Sequence, residues 1–307
     1  MILGKPTTLI TGGTGFVGKR LIEQLDHVCV TSRNAASAEA KLAGMVDQVI
    51  PWNADQDQLN LSNQTRFDSV INLMGEPIAE GRWTPEKKKR IRNSRVDGTR
   101  RLVDALIDSG KLPSVFVSGS AVGIYEDCGE DLVEEDHEHG TGFLGQICEE
   151  WESEASRLSN HGVRVVLLRI GIVLGNNGGA LQRLVPIFRR YLGGRLGSGK
   201  QWMPWIHIQD LVSLTIWSIE NQSISGPINA TAPNPVRNSE FTRELAKSLG
   251  RPVFAPAPKF AVRLALGEFA DSLFHSQRVV PAVALNHGFQ FQFNDITAAL
   301  NSIANRK

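Results

Sequence analysis

Three stretches of this chain carry groups whose type and spacing can do chemistry. The first is Gly12-Gly13-Thr14-Gly15-Phe16-Val17-Gly18, a G-x-x-G-x-x-G run that follows the β-branched, apolar Thr8-Leu9-Ile10-Thr11. Gly12 lets the chain turn off a strand, Gly15 lets backbone amides approach a pyrophosphate, and Gly18 lets a helix pack on the strand. The amides and the positive helix end then hold phosphates. The second is Thr31-Ser32-Arg33-Asn34, after a second strand. An acid there would bind the ribose hydroxyls of NAD. Arg33 instead offers a bidentate fork for a 2′-phosphate, with a hydroxyl from Ser32, so NADP(H) is the expected cofactor; the competing reading is a solvated loop arginine. The third is Ser118-Gly119-Ser120-Ala121-Val122-Gly123-Ile124-Tyr125, a Ser/Gly segment at a strand's carboxyl end, where α/β sheets place reacting groups. Ser120 is the expected donor to a substrate carbonyl. Tyr125 is an acid if its loop folds back over the nicotinamide, and otherwise a partly buried aromatic.

Further candidates surround these. Leu73-Met74-Gly75 follows an apolar strand, and Gly75 lets backbone pass close to the cofactor. Arg82 and Arg95 flank the segment expected to cover the cleft, and Trp205 and His207 are expected to line it with them. His207 reads either as a base or as a structural donor. Arg169, inside an apolar run, needs a partner if buried and reads as a structural ion pair rather than a ligand contact.

The elements that must position these groups alternate strand and helix. Strands are expected at Thr8–Thr11, His27–Thr31, Val46–Ile50, Asp68–Leu73, Ser114–Ser118 and Val163–Ile172, with Pro204–Ile208 and Pro227–Ala230 after them. Trp52–Asp57 is expected near the adenine. Helices are expected at Lys19–Leu25, from Pro85 to about Leu106, and at Phe143–Leu158, where Phe143, Ile147, Trp151, Ala155 and Leu158 form an apolar stripe and Glu149 and Glu152 face solvent or basic neighbours. Later helices fall at Leu181–Leu192, Gln209–Glu220, Ser239–Leu249, Phe260–Leu266 and Asp295–Ile303, and Asp127–Glu138 reads as an acidic surface loop. The fold class is therefore α/β, a Rossmann-like doubly wound parallel sheet. Residues 1–175 form the NADP-binding domain, with 205–230 returning to it; 176–204 and 231–307 form a smaller, mainly helical C-terminal lobe that closes on the substrate.

The 307 residues suffice for an ample core, and 41% hydrophobic with 21% charged residues is ordinary for a globular chain. Lys plus Arg total 33 and Asp plus Glu 32, a net charge of +1, which gives no bulk field toward nucleic acid or membrane. Lys87–Arg90 reads as a solvated helix face. Cys29, Cys128 and Cys148 have no CxxC spacing, so no metal site or disulfide framework is expected and a reducing, cytoplasmic location is. No leader or membrane-spanning run is read.

Gly12–Gly18, Ser120, Arg169 with Gly175, and Pro204–Asp210 together resemble the extended short-chain dehydrogenase/reductases, the group of sugar-nucleotide epimerases and dehydratases. Arg82-Trp83-Thr84, Ser94-Arg95-Val96, Ser118–Val122, Trp151-Glu152 and Pro204–His207 resemble more closely the YfcH-like epimerase family proteins. That resemblance implies an NADP-type nucleotide domain, a small C-terminal domain of unassigned role, and cofactor contacts at the glycine loop, Ser32-Arg33, Leu73-Met74 and Arg95. Working members of the wider group carry a Tyr-x-x-x-Lys pair, whose lysine lowers the tyrosine pKa. Here Gly129 lies four residues after Tyr125 and Arg195 four after Tyr191, the two tyrosines of the chain; on the helix the pair is replaced by Phe143 and Ile147. Two functions are therefore expected to compete. One is an NADP(H)-dependent oxidoreductase or epimerase-like enzyme acting on a small polar substrate. The other is a catalytically silent NADP(H)-binding protein that reports redox state to a protein partner. Sugar-nucleotide epimerisation with another acid and base is a third, weaker expectation.

Overall fold

A computed structural model describes residues 7–54, 56–64, 66–253 and 256–304; position 55 within Trp52–Asp57 and the outer ends of the two expected domains, 1–6 and 305–307, lie outside them. Six strands in chain order are β1 (Thr7–Thr11), β2 (His27–Ser32), β3 (Gln48–Pro51), β4 (Ser69–Asn72), β5 (Val115–Ala121) and, after a two-residue strand β6 (Leu132–Val133), β7 (Arg164–Ile170). With Gly226–Ala230 they form a seven-stranded sheet in the order β3-β2-β1-β4-β5-β7 and then Gly226–Ala230. Every pairing in it is parallel. This is the Rossmann-like doubly wound sheet expected from the alternating pattern.

Alternation along each strand divides the core between the two faces. Leu9, Val70 and Phe116 pack with Leu102, Leu106 and Leu158 on one side. Ile10, Ile71 and Val30 pack with Leu21, Ile208 and Val212 on the other. Each such fully buried side chain stabilises by about 1.5–3 kcal/mol. Four helices matter for the site: α1 (Phe16–Ile22), α2 (Ala35–Lys41), α3 (Pro85–Ser109) and α4 (Phe143–Ser156). Thr84 caps α3 by accepting the Lys87 amide, Pro85 opens it, and Gly110 at φ +64° ends it.

Three expectations change. α1 begins at Phe16, three residues before the expected Lys19, so the last glycine of the fingerprint lies inside the helix. The run Val163–Ile172 breaks at Gly171, where a Cβ would stand 2.8 Å from the Pro204 carbonyl oxygen. Ile172–Gly175 instead pairs with Trp205–His207 and Gly178–Gly179 in a separate small sheet, so of the returning segment the strand Trp205–His207 lies outside the main sheet, whereas Gly226–Ala230 joins it and Ile208 and Val212 of the helix between them pack on its face. Beyond Ala230 the chain is mainly helical. Among the described residues no helix is long and apolar enough to cross a membrane.

Candidate functional site

The glycine loop is a cradle closed to any side chain. Gly12 has φ +71°, and a Cβ there would stand 2.6 Å from the Leu73 carbonyl oxygen. A Cβ at Gly18 would stand 2.5 Å from the Gly12 carbonyl oxygen and 2.7 Å from the Gly13 Cα. The Gly15 amide donates to the Gly12 carbonyl at 2.9 Å and fixes the turn. No side chain caps α1 and no acid lies in its first turn, so its leading amides stay open to an anion. Thr14 and Gly15 are exposed at the crest. Phe16 packs beneath the Gly175–Gly179 turn, where Cβ atoms at 175 and 178 would enter its ring.

At the end of β2, Arg33 is exposed and makes no hydrogen bond or ion pair with any described residue. Ser32 is committed to a local turn: its hydroxyl donates to the Asn34 carbonyl at 3.0 Å and accepts the Asn34 amide at 3.2 Å. The cradle, the bare helix end and the free guanidinium are the donor set a phosphorylated dinucleotide requires.

Buried polar groups hold the strand ends level. Thr11 donates to Asn72 Oδ1 at 2.7 Å, and Asn72 donates to Thr99 at 2.8 Å and to Ser118 at 3.4 Å. The Leu73-Met74-Gly75 strip leaves β4 beside them, half-buried to exposed. Met74 needs Gly98, where a Cβ would stand 2.7 Å from its sulfur. Arg95 lies against Gly75, donates to the carbonyls of Glu76 and Ile91, and stacks over Trp151 at 5.4 Å. Arg82 is exposed and donates to the Leu264 carbonyl. Its neighbour Trp83 packs between Phe143 and Phe269, 5.2 and 5.6 Å away between ring centres. Phe143 is therefore an aromatic contact and Ile147 is core.

Strand register places Ser120, Arg169 and Asn229 side by side on β5, β7 and Gly226–Ala230. They belong to one buried network. Ser120 donates to Glu152 Oε1 at 2.6 Å. Arg169 donates to both oxygens of Glu152 at 2.9 Å, to the Tyr125 hydroxyl at 2.8 Å and to the Glu135 carbonyl at 2.8 Å, and reaches His139 Nε2 at 3.0 Å. Tyr125 donates to Asn229 Oδ1 at 2.8 Å. Arg169 is thus the structural ion pair expected. Tyr125 is 3% exposed and does not fold back over the cleft as a free acid. Burial pushes its pKa up to about 12, against the pull of Arg169. Glu152 is buried rather than solvent-facing, and Glu135, expected on a surface loop, is buried and accepts the amides of Asn229 and Val283. Cys148 lies against Ser120 and Arg95, one residue beyond Ile147, and burial pushes its thiol up to about 12.

Trp205 is fully buried and donates to the Asn234 carbonyl at 3.0 Å, so it is core rather than a cleft wall. His207 caps the Ile208–Glu220 helix by accepting the Gln209 amide at 3.2 Å, and stacks on Phe293 at 3.8 Å. That is the structural alternative for this histidine. Glu152, Asn229 and Cys148 carried a weak signal: a lone arginine in an apolar strand demands a carboxylate, and Cys148 and Glu152 lie i, i+4 beside the apolar stripe of α4.

The family described as NAD dependent epimerase/dehydratase matches residues 8–230. A second, described as a domain of unknown function (DUF1731), matches residues 257–303. The chain is 39% identical to the chloroplastic homolog of epimerase family protein SDR39U1 from Arabidopsis thaliana, over 97% of this chain and 86% of that protein. It is 37% identical to epimerase family protein ML0860 of Mycobacterium leprae, over 98% of this chain and 97% of that one. Among solved structures, human epimerase family protein SDR39U1 (isoform 2), crystallised with NADPH, superposes with a TM-score of 0.87 at 31% identity, covering 98% of this chain and 100% of that chain. The chain belongs to the NAD-dependent epimerase/dehydratase family, among the epimerase family proteins, and itself carries the DUF1731 segment at residues 257–303.

Proposed function

We propose that this chain is an NADP(H)-binding, epimerase-like protein that holds its cofactor without the Tyr-x-x-x-Lys proton relay of the wider group. The observation that carries the cofactor reading is the free Arg33 guanidinium one strand from the uncapped end of α1. The NADPH in the human SDR39U1 crystal supports it. When bound, the nicotinamide supplies a hydride donor or acceptor. The residues of this chain divide the holding. Amides of Thr14, Phe16 and Val17 take the pyrophosphate, Arg33 takes the 2′-phosphate, and the Leu73–Gly75 backbone with Arg95 borders the cleft beyond the end of β4.

The second half of the proposal concerns protons. Ser120 directs its proton to Glu152 and Tyr125 directs its own to Asn229, so neither candidate hydroxyl is free to serve a substrate carbonyl. This favours a catalytically silent NADP(H)-binding, redox-reporting protein over an oxidoreductase acting on a small polar substrate. The experiment pairs NADPH binding by calorimetry with NADPH oxidation over a panel of carbonyl compounds and sugar nucleotides. Tight binding with no oxidation, and a partner affinity that changes with NADPH, is the expected result. Oxidation that Ser120→Ala abolishes would restore the enzyme reading.

A further inference from the structure

A large cavity, about 1050 Å³, lies apart from the glycine loop, Arg33, Leu73–Gly75 and Ser120, none of which lines it. Its walls are α1, the helices Leu181–Arg189 and Ile208–Glu220, and the ends of Asn238–Ser248 and Ile296–Ala304. Six carboxamides line it: Gln24, Asn176, Asn177, Gln182, Gln209 and Gln292. None of these side chains has a hydrogen-bond partner among the described residues. Each offers two donors and an acceptor oxygen, the complement of ligand hydroxyls. Charge selects further. Arg20 is neutralised by Glu23 at 2.8 Å, whereas Arg189 has no ion pair among the described residues. One uncompensated guanidinium at the rim suits one phosphate. The volume stands at the upper end of small-molecule sites, roughly 300–1,000 Å³.

We propose that this cavity is a second binding site, for a sugar monophosphate, with hydroxyls on the carboxamides and the phosphate on Arg189. The site is wired to the cofactor cradle at two points. α1 carries Phe16 at its first position and presents Arg20 to the cavity, with Gln24 lining it just past the helix end. The Asn176-Asn177 turn, which faces the cavity, belongs to the hairpin whose glycines close on the Phe16 ring; a Cβ at Gly175 would stand 2.7 Å from it. A ligand that draws on this turn moves the residue that starts the phosphate-binding helix. This coupling, unlike the site itself, rests on the NADP(H) reading.

The test titrates cofactor-free protein with ribose 5-phosphate and glucose 6-phosphate by calorimetry, with glucose and inorganic phosphate as half-ligands. Binding is expected for at least one sugar phosphate, weaker by about tenfold or more in Arg189→Ala. Ser213→Trp, at an exposed position of the cavity wall, places an indole in the cavity and is expected to weaken binding by about tenfold or more while leaving the thermal midpoint unchanged. No heat from either sugar phosphate at millimolar concentration, or unchanged binding in Ser213→Trp, overturns the site. A saturating sugar phosphate is then expected to shift NADPH affinity by about threefold or more, with NADPH shifting sugar-phosphate affinity by the same factor. Intact sugar-phosphate binding without that shift overturns the coupling alone. A protein that binds sugar phosphate but not NADPH overturns the cofactor reading and leaves the second site standing.

Discussion

Replacing Tyr125 by Phe removes one oxygen from the buried network and separates a structural tyrosine from a catalytic one. The Asn229 oxygen loses its donor and one N–H of Arg169 loses its acceptor. Both residues are buried, Asn229 at 0% and Arg169 at 3% exposure. Leaving a buried polar group unpaired costs about 1–3 kcal/mol. Arg169 keeps Glu152 and the Glu135 carbonyl, so its share falls at the low end. The sum is about 3 kcal/mol, which for a chain of this size lowers the thermal midpoint by roughly 5 °C. The pH dependence has a defined sign. Burial raises the Tyr125 pKa from 10.0 to about 12 in the folded state. The folded protein therefore holds this proton where the unfolded chain has released it. The stability it contributes is complete below pH 10 and is lost as pH rises toward 12. The deficit of Tyr125→Phe relative to the parent should hold up to pH 10 and shrink between pH 10 and pH 12. The assay is thermal denaturation at several pH values together with NADPH titration, in which affinity stays within about twofold of the parent. Unchanged stability combined with lost NADPH-linked turnover would refute the reasoning and make Tyr125 the acid.

Gly18→Ala places a methyl 2.5 Å from the Gly12 carbonyl oxygen, which is backbone and cannot swing away. NADPH affinity should fall at least about a hundredfold by calorimetry. Trp83→Ala removes the ring between Phe143 and Phe269, and should destabilise by about 2–3 kcal/mol and speed limited proteolysis within 259–272. With Cys29 and Cys148 buried and the Cys128 and Cys148 thiols pushed up to about 11 and 12, native protein at pH 8 should react slowly with a disulfide reagent, and at Cys128 first.

The part of this fold legible in the sequence is the part governed by local rules. A β-branched run meeting a glycine triplet has few ways to fold, so the strand–glycine loop–helix order and the free arginine after β2 stand as the spacing put them, with only the start of α1 moved to Phe16. Boundaries moved where tertiary contacts decide. Gly171 breaks an unbroken apolar run because the Pro204 carbonyl needs its Cβ space, and no window of local sequence contains both residues. The network was legible only as a demand. Arg169 in an apolar strand announced a buried carboxylate without saying which, and Glu152 was hidden among solvent-facing acids of α4. Trp205 and His207 were drawn toward the cleft by residue type, whereas packing made one core and the other a helix cap.

The central claim is that a phosphorylated dinucleotide sits on the bare end of α1 with its extra phosphate on Arg33. Calorimetry of the parent and of Arg33→Ala with NADPH and with NADH tests it most directly. A charge-assisted, bidentate contact is worth about 1.5–3 kcal/mol, so Arg33→Ala should weaken NADPH roughly 10- to 150-fold and leave NADH unchanged. Equal affinity of the parent for both dinucleotides, or an arginine-free variant that binds NADPH as tightly as the parent, would contradict the account.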